Sequence, residues 1–149
     1  MTNHNFNMNQ DKKLAESEYE RYLTLAERLV GNKVTLSSDL ERTCRKLFGK
    51  TFKGVFPSDR IPPLTGCTCA IINVDKSNQR GSHWMAITDD LVYDSFGRRT
   101  HDLIRHAKLK QKDTELDAEQ TESETNCGAR CIAFLIVWSL YGSDVARFI

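Results

Sequence analysis

No stretch of this sequence is apolar for long enough to cross a bilayer. The longest apolar run, Ile132 to Leu140, is about half the length a spanning helix needs. The opening MTNHNFNMNQDKK also lacks the apolar core of a secretion signal. Nor is there an excess of one charge: 21 Lys and Arg against 20 Asp and Glu leave a net +1, which excludes a nucleic-acid binder declared by bulk charge. Internal repeats, low-complexity linkers and signs of a second domain are missing too. The five cysteines are an odd number, a poor match to a closed disulfide framework. Without an export signal, their thiols are expected to stay reduced inside a cell. What is left is a chain of 149 residues, read as a single domain over 1–149 with residues 1–12 disordered. A chain of that size buries roughly 68–70% of its unfolded surface without metals or disulfides.

Apolar periodicity supplies the elements. Tyr19, Tyr22, Leu23, Ala26, Leu29 and Val30 recur at helical spacing, which predicts a helix from about Lys13 to Val30 closed by Gly31. SDLE reads as a capping box, with Ser38 as N-cap and Glu41 reaching back. Leu40, Cys44, Leu47 and Phe48 form the stripe of the helix that follows, and Gly49 ends it. FKGVFPSDRIPPLTG, punctuated by Pro57, Pro62, Pro63, Gly54 and Gly66, predicts a connecting loop. CTCAIIN, HWMAIT and LVYD read as strands, with the DKSNQRGS loop joining the first two and an Asp89-Asp90 turn making the last two an antiparallel pair. THDLIRHAKLK reads as a helix with Leu103, Ile104 and Ala107 inward. Asp113 to Glu124 holds six acids and is expected to be solvated, as an edge strand plus loop. A buried helix opens near Cys127. This order is α+β: a small mixed or antiparallel sheet packed on a buried helix.

The cysteines admit three readings. Cys67 and Cys69 could join Cys127 and Cys131 around zinc, but one pair falls in a strand and the other on a helix, rather than on the turns that structural zinc favours. Cys44, Cys67, Cys69 and Cys131 each sit in an apolar pattern and read as core. Cys127 differs: it follows a polar loop, precedes Gly128 and falls at the first turn of a buried helix. There, unpaired N–H groups and the helix dipole stabilise a thiolate, and Gly128 permits close approach. That is a place for a nucleophile.

A nucleophile needs a base, and the base an orienting group. His4 lies in the N-terminal tail, and His101 and His106 sit on a polar-faced helix as surface residues. His83 opens a strand in GSHWMAI, and Asp94 ends the neighbouring strand in LVYDSFG. Strands paired through the Asp89-Asp90 turn set residues summing to about 177–179 opposite each other, and His83 and Asp94 sum to 177. They are expected to lie side by side.

These residues carry a resemblance. His-Trp in one strand, Tyr-Asp-Ser-Phe-Gly in the next, then Asn-Cys-Gly opening a helix is similar to the adenovirus maturation protease family. More broadly it resembles the cysteine peptidase clan that includes SUMO and ubiquitin-like deconjugating proteases. SDLERTCRKLFGKTFKGVFPSDRIPPL, CAIINVDKSNQRGSHWMAI and YDSFG follow the adenoviral layout in order, and related enzymes are encoded by virophages and Polinton-type transposons. The resemblance implies a cysteine endopeptidase with His83, Asp94 and Cys127 as catalytic residues. It also implies an oxyanion hole from the Gln120 side chain, seven positions before the nucleophile, and the Cys127 N–H. Trp84 would pack the site and exclude water.

The implied substrates are viral capsid or core precursors cut at Gly-Gly or Gly-X, with the enzyme in the virion and the infected cell's cytoplasm or nucleus. A ubiquitin-like modifier with a Gly-Gly tail is the alternative substrate, and an inactive binding module the alternative class. The chain departs from the family in three ways. Asp94 stands where the adenoviral enzyme usually has glutamate. No cysteine lies between Cys69 and Cys127 to tether an activating peptide. The chain also ends at Ile149, about 22 residues past Cys127. No metal or cofactor and no membrane partner are expected, the sequence gives no support for an activating peptide or DNA, and the chain is read as a monomer. Asn126 is expected to cap the last helix, and Gln111 falls in the wrong segment for an oxyanion donor.

Overall fold

The computed structural model of the protein describes residues 3–31, 35–75, 83–120 and 125–149. Five helices and five strands follow one another as α1 (Asn3–Val30), α2 (Ser37–Phe48), β1 (Phe52–Pro57), β2 (Cys69–Asn73), β3 (Trp84–Thr88), β4 (Leu91–Tyr93), α3 (Thr100–Leu103), β5 (Lys112–Asp113), α4 (Cys127–Tyr141) and α5 (Ser143–Ala146). The fold is α+β. The strands form one mixed sheet in the order β1-β2-β3-β4-β5, with β2-β3 and β3-β4 antiparallel and both outer pairs parallel.

Alternation along the central strands divides the interior in two. Cys69 and Ile71 of β2, Ala86 of β3 and Leu91 and Tyr93 of β4 point to one face and pack with α4 and α1. Ala70, Ile72, Met85, Ile87 and Val92 point to the other, beneath Leu64 and Ile104. Both faces are covered, so every residue of β2 is buried. α4 is buried from Cys127 through Trp138, which is why its sequence, Arg130 apart, is apolar all round instead of amphipathic. Phe134 stacks on Tyr93 with ring centroids 4.7 Å apart. Fully burying each such side chain stabilises the fold by about 1.5–3 kcal/mol. α1 packs along α4 through Ala15, Tyr19, Leu23 and Ala26.

Several expectations need correcting. Residues 1–12, read as disordered, are helical from Asn3 on; extending a formed helix adds one hydrogen bond for each residue fixed. Gly31 does close α1, with φ 84° and its N–H on the Glu27 carbonyl. The capping box at SDLE does not form. The N-cap is Leu36, without a side-chain cap, and Glu41 pairs with Arg45 at 3.2 Å. Part of the proline-rich loop is a strand, β1. It lies at the sheet edge, where Pro57 costs no ladder bond, and it takes up an irregular register between Phe52 and Val55 around Gly54, φ 134°. The helix expected over 100–110 is a single turn, α3, and α5 was not anticipated. Cys67 is exposed in a turn with φ 45°, not core. The joining loop of 75–82 lies, from 76 on, outside the described residues, as do 121–124 of the acidic run. None of the described helices is long and apolar enough to cross a membrane.

Candidate active site

Three elements converge on one end of the sheet. β3 carries His83 at its entrance, β4 carries Asp94 at its exit, and α4 begins with Cys127. The β3–β4 register is Ala86↔Tyr93 and Ile87↔Val92, a sum of 179. His83 is therefore two residues diagonal from the position facing Asp94, on the same face, and long side chains reach across that offset. The His83 Nε2 to Asp94 Oδ1 distance is 2.5 Å, and both residues are buried.

With Nε2 engaged by Asp94, Nδ1 is the nitrogen left to meet Cys127, whose thiolate the imidazole stabilises. Burial pushes the Cys127 thiol up. The His83 hydrogen bond, the backbone N–H groups of Trp84 and Gly128, and the imidazolium charge outweigh it and bring the thiol below its ordinary 9.0. Burial likewise lowers His83, but bonds to Asp94 and to the Cys127 thiolate raise it above 6.5. Burial raises Asp94, and hydrogen bonds from His83 and Arg98 pull it below 3.8. All three shifts favour one charge state: thiolate, imidazolium and carboxylate. The other buried thiols go the opposite way. Burial alone pushes Cys69 up to about 12, and it drives Cys44 and Cys131 upward as well.

Asp94 is held from several sides. The Arg98 Nε lies 2.9 Å and the Arg98 N–H 3.1 Å from its Oδ2. Phe96 packs between His83 and Arg98, its ring tilted at 39° to the imidazole with centroids 4.9 Å apart and 4.8 Å from the Arg98 guanidinium carbon. Gly97, with φ 69°, makes this turn possible. A Cβ there would lie 2.8 Å from the backbone of Asp117 and Ala118, in the strap that leads into Gln120.

Gln120 is buried and is tied to the same turn. The Ser95 hydroxyl donates to its Oε1 at 2.5 Å, and the Ser95 carbonyl accepts the N–H groups of Glu119 and Gln120, both at 2.9 Å. Trp84 is half-buried, and its indole N–H donates to the Thr35 carbonyl at 3.1 Å, pinning the segment before α2 to β3. What approaches Gly128 closely is the protein itself: a Cβ there would meet Thr35 Oγ1 at 3.0 Å and Leu40 Cδ2 at 3.1 Å. Asn126 occupies the N-cap position without capping. Its Nδ2 donates to Glu27 of α1 at 3.0 Å, and its Oδ1 accepts from Arg130 Nε at 3.1 Å. Arg130 also donates to the Tyr19 hydroxyl at 3.0 Å, which shares a 2.7 Å bond with Tyr93, whose own hydroxyl donates to Glu119 at 3.2 Å.

His83 and Asp94 are thus hydrogen-bonded, Cys127 lies close enough for the imidazole to lower its thiol, and Gln120 is tied to the Asp94 turn through Ser95. His101 and His106 are exposed, and His106 meets Ser58 at 3.3 Å. Gln111 is in the other part of the chain, beside β5. Ser95, Phe96 and Arg98 were not singled out from the sequence. Their one signal was adjacency to Asp94 in DSFGR. Among the described residues no group of three or more His, Cys, Asp or Glu could hold a metal ion. No protein-family model and no curated protein matches the chain.

Proposed function

We propose that the chain is a cysteine endopeptidase. The observation that supports this best is the buried Cys127–His83–Asp94 chain, with the His83–Asp94 bond at 2.5 Å and a thiol lowered by its partners against the pull of burial. The Cys127 thiolate attacks the scissile carbonyl carbon, and the carbonyl electrons move onto oxygen. That oxyanion takes hydrogen bonds from the Cys127 N–H and the Gln120 side-chain amide. As the tetrahedral species collapses, the imidazolium of His83 gives its proton to the departing amine, leaving a thioester on Cys127. Neutral His83 then removes a proton from water, which attacks the thioester and restores the thiolate–imidazolium pair. Asp94 fixes the imidazole orientation throughout and stabilises its charge.

The substrate reading rests on the resemblance of HW, YDSFG and NCG to the adenoviral maturation proteases. It takes capsid or core precursors as substrates, cut at Gly-Gly or Gly-X in the virion or infected cell, with Trp84 and the Gln120 strap narrowing the channel. A peptide panel tests it. Gly-Gly and Gly-Ala peptides should be cut and a Leu-Ala peptide should not. Equal cleavage of all three removes the narrow-channel argument. Preference for an intact ubiquitin-like modifier moves the substrate class to deconjugation, and no cleavage of any of them leaves a binding module.

A further inference from the structure

The carboxylate of Asp94 gives its two oxygens different partners. Oδ1 meets the His83 Nε2 at 2.5 Å, while Oδ2 accepts from Arg98 twice, from Nε at 2.9 Å and from the backbone N–H at 3.1 Å. The torsion that turns an aspartate carboxyl has broad, roughly two-fold preferences. The side chain alone therefore does not decide which way Oδ1 faces; its partners do. An ion pair between exposed groups contributes little, but this one is exposed at one end only. The Asp94 side chain is 1% exposed and that of Arg98 44%. The guanidinium is also held at a second point, over the Phe96 ring that packs on the imidazole. A charge-assisted bond from a planar donor sets direction as well as strength.

Resting on the protease reading above, we propose that Arg98 is a positioning residue whose Nε–H grips Oδ2 of Asp94 and thereby keeps Oδ1 on His83. The grip does not depend on the charge of the imidazole, so it holds the carboxylate in place through the steps in which His83 is neutral.

Kinetics on one Gly-Gly peptide, with proton NMR of the full chain, test this. Arg98→Met keeps the apolar stem and removes the donor. It is expected to lower kcat/KM about tenfold, the scale of one hydrogen bond to a charged group. Arg98→Lys, whose ammonium can still donate to Oδ2, is expected to recover part of the loss. Because Arg98 acts only through Asp94, Arg98→Met with Asp94→Asn should be no slower than Asp94→Asn alone. The pH profile separates aim from charge. The other titratable groups facing the His83–Asp94 pair are Cys127 and Cys131 of α4, and burial keeps Cys131 a neutral thiol. The bond to Asp94 raises His83, so loosening it should move the alkaline limb of kcat/KM to lower pH in Arg98→Met. Losing a positive charge without losing the aim would move that limb to higher pH. In the NMR spectrum, the downfield imidazole N–H shared with Asp94, identified by its absence in His83→Ala, should weaken in Arg98→Met. An alkaline limb that stays or rises, an unchanged N–H resonance, or losses that multiply in the double variant overturn the inference while the protease reading stands. A wild-type chain that cleaves no Gly-Gly peptide overturns the reading, and the inference with it.

Discussion

Cys127 and Cys131 lie one helical turn apart on the same face of α4, and their environments drive them in opposite directions. Cys131, fully buried, is pushed far up by desolvation; Cys127 gains His83 and two backbone donors and is brought down. Iodoacetamide should therefore alkylate Cys127 rapidly, and should keep doing so as pH falls below the ordinary thiol value of 9.0. Cys44, Cys69 and Cys131 should not react until the chain unfolds. Exposed Cys67 is the one competitor among the four other cysteines. His83→Ala should slow labelling of Cys127 and leave Cys67 unaffected. Peptide mapping by mass spectrometry separates the two, and equal rates at both cysteines would count against an activated nucleophile. This much of the site was legible because β-strand pairing has a fixed period: HW and YD across a short turn had to come near each other. Ser95, Phe96 and Arg98 were not legible, because a serine, a phenylalanine and an arginine after an aspartate have many ordinary uses. Only the fold of the turn gives them these partners.

Among the elements, the turn from Asp94 to Arg98 and the strap ending at Gln120 hold each other in place, and Gly97 is where they touch. Gly97→Ala would combine a left-handed backbone with a Cβ 2.8 Å from the Asp117–Ala118 backbone. The expected cost is about 1–3 kcal/mol from the backbone conformation alone, with a fall in kcat as the strap and Gln120 are displaced. Thermal melting and steady-state kinetics read the two parts, and an unchanged kcat would show that strap and hole are uncoupled. Phe134→Ala should cost about 3–5 kcal/mol, since it opens a cavity between α4 and Tyr93, and urea denaturation measures it. α4 itself was plain in the sequence, because its twelve consecutive buried positions are apolar on every side except at Arg130. β1 was not, because Gly54 and Pro57 are loop residues everywhere except at a sheet edge with an irregular register. α3 was overread. Leu103, Ile104 and Ala107 have helical spacing, yet the chain leaves the helix after Leu103, placing Leu109 against the second core and Lys112–Asp113 beside β4.

Across the whole molecule, a polar thread runs from α1 to the active-site end. Glu27 holds Asn126 next to Cys127, Arg130 links Asn126 to Tyr19, and Tyr19 and Tyr93 lead to Glu119, the neighbour of Gln120. Burial, with Asp117 nearby, pushes the Glu119 carboxyl up to about 8 from 4.5. The folded chain therefore holds a proton there that the unfolded chain has lost. The resulting stability is fully present below pH 4.5 and is lost as pH rises toward about 8. Glu119→Gln keeps an acceptor for Tyr93 without the ionisation. It should leave Tm nearly unchanged at pH 4 and raise it by a few degrees at pH 8. A Tm difference independent of pH would place the ionisation elsewhere.

The central claim is covalent catalysis by Cys127, and the most direct measurement is acid-quenched intact-mass spectrometry during turnover of an activated ester of a Gly-Gly peptide. The account predicts a mass increase equal to the acyl fragment, located on Cys127 by peptide mapping, decaying with turnover and lost in Cys127→Ala. It further predicts slow formation of the adduct in His83→Ala. Hydrolysis of the substrate with no adduct on Cys127, or with full activity retained in Cys127→Ala, would contradict it.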